Sequence, residues 1–82
     1  MVLDGLKIYP TITSNKLFIE ANEDLNFTEI ALYNLQGVKM SSEMNRLKSK
    51  LIEIDVQDLA DGIYIVALRQ NDKIVSRKII VQ

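Results

Sequence analysis

At 82 residues the chain is long enough for one domain, and a domain of this size buries only about 60–65% of the surface its unfolded form exposes, so its stability margin is thin. Hydrophobic residues make up 48% of the chain, which favours a packed core over disorder, while a net charge of -1 with no basic block argues against nucleic acid as a partner. The absence of histidine and cysteine removes the commonest general base, disulfides and most transition-metal sites.

Short apolar runs then follow one another at close spacing, each bounded by polar or turn-forming residues, as in an all-β protein. Leu6-Lys7-Ile8-Tyr9 reads as a first strand, stopped by Pro10, which cannot donate to a sheet ladder. Residues 11–15 are polar and read as a loop. Lys16-Leu17-Phe18-Ile19-Glu20-Ala21 is the second strand, turned by Asn22-Glu23-Asp24. Thr28-Glu29-Ile30-Ala31-Leu32-Tyr33-Asn34 is the third, with Ile30 and Leu32 on one face, and Leu35-Gln36-Gly37 is a tight turn in which Gly37 can take a positive φ.

Val38-Lys39-Met40-Ser41-Ser42-Glu43 reads as the returning strand, followed by an exposed loop over residues 45–49; a helix over residues 41–50 is the alternative, since Met44, Leu47 and Leu51 fit a helical spacing. Leu51-Ile52-Glu53-Ile54-Asp55-Val56 alternates clearly, and residues 57–62 turn a corner. The last two strands, residues 62–70 and 73–82, form a hairpin across Asn71-Asp72. Residues 63–68 are apolar on both faces, but Arg69 shares the parity of Ile63, Ile65 and Ala67. The buried set is therefore expected to be Tyr64, Val66 and Leu68, leaving the other face covered by a neighbour or exposed as an apolar strip.

Seven strands without strand-helix-strand alternation predict a seven-stranded antiparallel, immunoglobulin-like Greek-key β-sandwich. Its core is expected to hold Leu17, Ile19, Ile30, Leu32, Val38, Ile52, Ile54, Val56, Leu59, Tyr64, Val66, Leu68 and several of the closing isoleucines. Residues 1–5 are expected to be an expression start or linker and residues 6–82 the domain; no apolar stretch reaches the ~20 residues of a membrane span, and any signal peptide is expected elsewhere.

No catalytic, metal or cofactor site is expected. The serines lack an activating partner, and the carboxylates at Asp55, Asp58 and Asp61 and at Glu20, Glu23 and Asp24 lack the close alternation of a calcium loop. Asp58 and Asp61 are expected to shape the corner by bonding their own backbone. Asn26-Phe27-Thr28 matches a glycosylation acceptor, and the few aromatic residues, with no tryptophan, make a poor sugar platform. Lys73, Arg77 and Lys78 form a modest basic group on the last strand, either a charged edge that discourages strand pairing or a recognition feature.

The order of these elements resembles the C-terminal sorting domain of the type IX secretion system of Bacteroidota. Tyr9-Pro10 stands where that family has Tyr-Pro-Asn-Pro, Leu17-Phe18-Ile19 matches its Leu-x-Ile, and Ile30-Ala31-Leu32-Tyr33-Asn34-Leu35-Gln36-Gly37-Val38-Lys39-Met40 is similar to its Val-x-Ile-Tyr-Asp-Leu-x-Gly-Lys-x-Val. Ile54-Asp55-Val56 with Leu59-Ala60-Asp61-Gly62-Ile63-Tyr64 resembles its Ile-Asp-Val, Leu-x-x-Gly-x-Tyr signature, and Arg77-Lys78-Ile79-Ile80-Val81 its closing basic-aliphatic stretch. Thr11-Ile12 departs from the family's Asn-Pro, and Asn34 replaces its usual Asp but keeps a turn-forming side chain.

The resemblance implies a non-catalytic export address on an attached N-terminal cargo domain, carried through the periplasm to the cell surface or extracellular space. It implies recognition by the outer-membrane translocation and sortase machinery, cleavage at the surface, and recognition residues at Gly62, Tyr64, Lys73, Arg77 and Lys78. Exposed strand edges leave self-association open. The alternative is an adhesive or spacer β-sandwich of a cell-surface protein.

Overall fold

The computed structural model describes residues 6–22, 24, 25, 29–70 and 72–82. Residues 1–5, the glycosylation match at 26–28, Glu23 of the predicted turn and Asn71 of the hairpin lie outside them. The described residues form nine strands: β1 (Lys7–Tyr9), β2 (Ile12–Thr13), β3 (Lys16–Glu20), β4 (Glu29–Asn34), β5 (Lys39–Met40), β6 (Glu43–Lys48), β7 (Leu51–Asp55), β8 (Gly62–Gln70) and β9 (Lys73–Val81).

They pair into a four-stranded sheet of order β1-β3-β7-β6 and a five-stranded sheet of order β2-β9-β8-β4-β5. Followed along the chain, β1-β3-β7-β6 and β9-β8-β4-β5 run as the A-B-E-D and G-F-C-C′ strands of an immunoglobulin sandwich. The expected all-β sandwich is borne out, with two strands beyond those predicted.

The first addition is β2. Residues 11–15 are not only loop: Ile12 and Thr13 lie parallel to β9 opposite Ile80 and Val81, with Ile80 N donating to Thr11 O at 2.7 Å and Gln82 N to Thr13 O at 3.0 Å. The Tyr9-Pro10 peptide, which is cis, lies between the edge of one sheet and the edge of the other. Thr13, the one buried polar residue among those described, donates its Oγ1 to Lys16 O at 2.8 Å and accepts from Asn15 N at 3.2 Å, so its burial is compensated.

The second addition is β6, where neither the loop nor the helix holds. After β5 the chain crosses between the sheets, and Glu43–Lys48 pairs with β7. A register shift between Arg46 and Lys48 leaves Leu47 as an extra residue, a bulge that ends the alternation on which strand reading depends. Val38, expected inside, is 56% exposed because it belongs to the β4–β5 turn and not to a strand.

That turn is built by one side chain. Asn34 Oδ1 accepts from Gln36 N and Val38 N, both at 2.9 Å, while Gly37 N donates to Asn34 O at 3.0 Å with Gly37 at φ 82°. An Asp side chain offers the same acceptor, so the exchange of Asp for Asn costs the turn nothing. Asn34→Ala removes both side-chain bonds and is expected to lower stability by about 1 kcal/mol, with Asn34→Asp close to neutral. Chemical denaturation of the three proteins measures both values.

The core between the sheets holds Leu17 and Ile19 of β3, Leu32 of β4, Ile52 and Ile54 of β7, Tyr64, Val66 and Leu68 of β8, and Ile79 and Val81 of β9. The parity inferred from Arg69 is therefore the observed one. Ile30 and Leu59 pack against this core while only partly buried. Leu25 is wholly buried although it sits in a polar connection, fixed by its own N–H, which donates to Ser49 O at 2.7 Å. Ala21 N likewise donates to Lys50 O at 3.0 Å, so the β3–β4 connection is tied down on the β6–β7 turn.

Candidate functional site

The corner leading into β8 is held by three bonds. Asp55 Oδ1 accepts from Gln57 N at 2.9 Å and Leu59 N donates to Val56 O at 3.1 Å. Tyr64, only 5% exposed, donates its hydroxyl to Ala60 O at 2.7 Å, the bond of a tyrosine corner. The corner carboxylate seen bonding its own backbone is thus Asp55, where Asp58 and Asp61 were expected. Gly62 opens β8 with φ 155°, which L side chains rarely adopt, and pairs with Val81.

From this corner β8 and β9 run in unbroken register, Gly62 with Val81 through Gln70 with Lys73. Gly62 and Lys73 therefore stand at opposite ends of the hairpin. With a rise of about 3.3 Å per residue, Lys73 is roughly 17 Å along β9 from Lys78. Lys73, Arg77 and Lys78 are all exposed, whereas Tyr64 is inside. Arg77 lies opposite Val66 and shares the inward set of Val75, Ile79 and Val81, while Lys78 lies opposite Ile65 on the outer face. The five residues do not converge on one pocket; three of them follow a single strand.

That strand has an open side. Beyond β8, β9 is paired only at Ile80 and Val81, by β2, so among the described residues positions 73–79 face no neighbouring strand. Backbone polar groups of successive residues in a strand point to opposite sides. Because Ile80 N and Gln82 N point toward β2, the N–H and C=O groups of Ile74, Ser76 and Lys78, which share their parity, point away from β8 across the open edge.

The outer faces of the two sheets differ in chemistry. On the four-stranded sheet, Tyr9 stacks on Phe18 with ring centroids 5.8 Å apart and donates its hydroxyl to Glu20 Oε1 at 2.8 Å, which raises the Tyr9 pKa because the bond holds the phenol protonated. Lys16 Nζ lies 2.9 Å from Glu53 Oε1, and this partner raises the Lys16 pKa by favouring the ammonium. Glu43 and Asp55 add to the effect through space.

The five-stranded sheet instead presents cross-strand rows, Ile12-Ile80-Ile63, then Lys78-Ile65-Tyr33-Lys39, Ser76-Ala67-Ala31, and Ile74-Arg69-Glu29. The predicted apolar strip exists and no other strand among the described residues covers it, with Ile74 at 65% exposure. The row of small residues leaves a hollow lined by Ala31, Tyr33, Ala67, Arg69, Glu29 and Ile74. A more polar hollow near the β8 corner is lined by Ser41, Ser42, Glu43, Asp55, Asp58 and Leu59. Among the described residues no group of three or more carboxylates is placed to hold a metal ion.

Sequence reasoning found the basic residues and offered a charged edge as one reading of them, but not the length of that edge, which is set by how far β2 reaches along β9. A family model described as the secretion system C-terminal sorting domain matches residues 7–82. No curated protein matches the chain.

Proposed function

The chain belongs to this family of sorting domains, type IX secretion signals that are carried by a cargo protein and have no catalytic role, and on that premise we propose that the open edge of β9 is its docking strand. Membership implies recognition by the type IX machinery and secretion across the outer membrane to the surface or outside the cell. In our reading the folded domain travels on its cargo through the periplasm. It then offers the backbone groups of Ile74, Ser76 and Lys78 to a strand of the outer-membrane translocation machinery, flanked by Lys73, Arg77 and Lys78. Removal by the sortase follows at the surface.

The observation that carries this reading is the stretch at positions 73–79, unpaired on one side among the described residues, which leaves a preformed row of donors and acceptors along one edge of the sheet. Strand addition draws affinity from such main-chain bonds, and a rigid edge loses little entropy when it docks. Gly62 and Tyr64 serve the same end indirectly, by fixing the corner from which the hairpin starts.

Fusing residues 6–82 behind a signal peptide and a fluorescent reporter in a type IX-competent bacterium tests the sorting role. The reporter is expected outside the cell, and its retention in the periplasm would reject the role. Proline scanning of β9 tests the docking mode. Ser76→Pro deletes an N–H on the open side and spares the β8 ladder, so the fold survives and docking is lost. Val75→Pro deletes a ladder donor and is expected to cost about 3 kcal/mol of stability. Secretion undiminished in a folded Ser76→Pro protein would remove β9 as the docking strand.

A further inference from the structure

Open strand edges invite pairing with any extended chain, and an edge kept free for one partner has to be closed to others. Arg77 is placed to do this. Its guanidinium Nη1 donates to Ser76 O at 3.0 Å, and Ser76 is the central residue of the three whose backbone groups face the open side. The side chain belongs by parity to the inward set opposite Val66, yet it is exposed, because it leaves the sandwich and turns back across its own strand. Any strand laid along β9 needs the same carbonyl.

We propose that Arg77 guards the edge of β9, occupying the Ser76 carbonyl in the free domain and yielding it only to a strand that brings a carboxylate for the guanidinium. This rests on the reading of β9 as the docking strand. The chemistry is that of exchange: a guanidinium holding a neutral carbonyl by one bond gains a second, charge-assisted partner when a carboxylate arrives, and the released carbonyl accepts from the incoming backbone N–H. A second copy of the chain, or a strand with a basic residue at that position, offers no such exchange and stays unpaired.

Sedimentation velocity on the 82-residue chain tests the guard. The wild type is expected to remain monomeric up to millimolar concentration. Arg77→Met keeps the aliphatic stem but has no donor, and it is expected to dimerise with concentration; Arg77→Leu, which also lacks a donor, serves if the Met variant fails to fold. Adding Ser76→Pro to either is expected to restore the monomer. A monomeric, folded Arg77 variant, a dimeric wild type, or a dimer that survives Ser76→Pro would each overturn the guard.

The partner chemistry is read from two synthetic nine-residue peptides of alternating Thr and Val, one with a central Glu and one with a central Lys, titrated against the amide resonances of Ser76 and Lys78. The Glu peptide is expected to bind the wild type about fivefold more tightly, and the difference is expected to vanish in Arg77→Met. Equal binding to the wild type, or a preference that persists without the guanidinium and so belongs to Lys73 and Lys78, would overturn it. These measurements use purified protein and need no export. A reporter held in the periplasm would therefore defeat the sorting role while leaving the guard standing, and a failed guard leaves secretion untouched.

Discussion

Leu25→Ala is expected to destabilise the domain by about 2–5 kcal/mol, the range for removing a fully buried leucine side chain and leaving a cavity. Nothing about its sequence surroundings suggests this, because the residue follows Asn22-Glu23-Asp24 in a polar connection. In the structure it has no exposed surface, and the bond from its N–H to Ser49 O prevents the loop from sinking to fill the space. Small domains hold only about 5–15 kcal/mol of stability in total, so a substantial share of the margin is at stake. The urea midpoint of the variant, compared with that of Leu35→Ala in the exposed β4–β5 turn, measures it. A Leu25 variant as stable as the Leu35 variant would mean that this end of the core is not closed.

Tyr64→Phe is the second large effect. It keeps the ring in the core and deletes only the hydroxyl that reaches Ala60 O, so the change isolates one bond and the carbonyl it satisfies. Loss of a part-buried bond of this kind costs about 1–3 kcal/mol when the remaining acceptor is left unpaired. Because Tyr64 lies inside, its influence on docking is expected to pass entirely through the fold. At a temperature where both proteins are fully folded, Tyr64→Phe and wild type should bind the translocation machinery equally. Weaker binding by a folded Tyr64→Phe protein would instead give the hydroxyl a direct part in recognition.

What the sequence revealed and what it concealed follow from the same physics. The strands of the core were legible because their alternation is long: five residues in β7, and nine in β8, where Arg69 alone broke the ambiguity of a strip apolar on both sides. β6 was hidden because its residues are almost all exposed, and because the extra residue at Leu47 destroys a period of two. A strand with no buried face leaves no hydrophobic signature. β2 was hidden for a different reason, since two residues cannot establish a period, and its existence depends on the far end of the chain.

The same limit explains the candidate site. Residue types pointed to Lys73, Arg77 and Lys78 as a basic group, but whether those residues border a covered strand or an open one is decided by β2, which runs parallel to β9 and begins only at Ile12, opposite Ile80. The bond from Arg77 to Ser76 O is likewise a matter of which way one side chain turns. Asn34 is the counter-example: its role in the turn was readable from its type alone, because Asx side chains bond the backbone locally whatever surrounds them.

The clasp between Ile12 and Ile80 joins the second strand of the sandwich to its last, so β2 has no partner until β9 is in place. Pairings this distant in sequence are slow to find and form late. An address assembled in this way is sensitive to truncation: cutting the domain before Ile80 removes the β2 clasp and changes the edge that the five-stranded sheet presents.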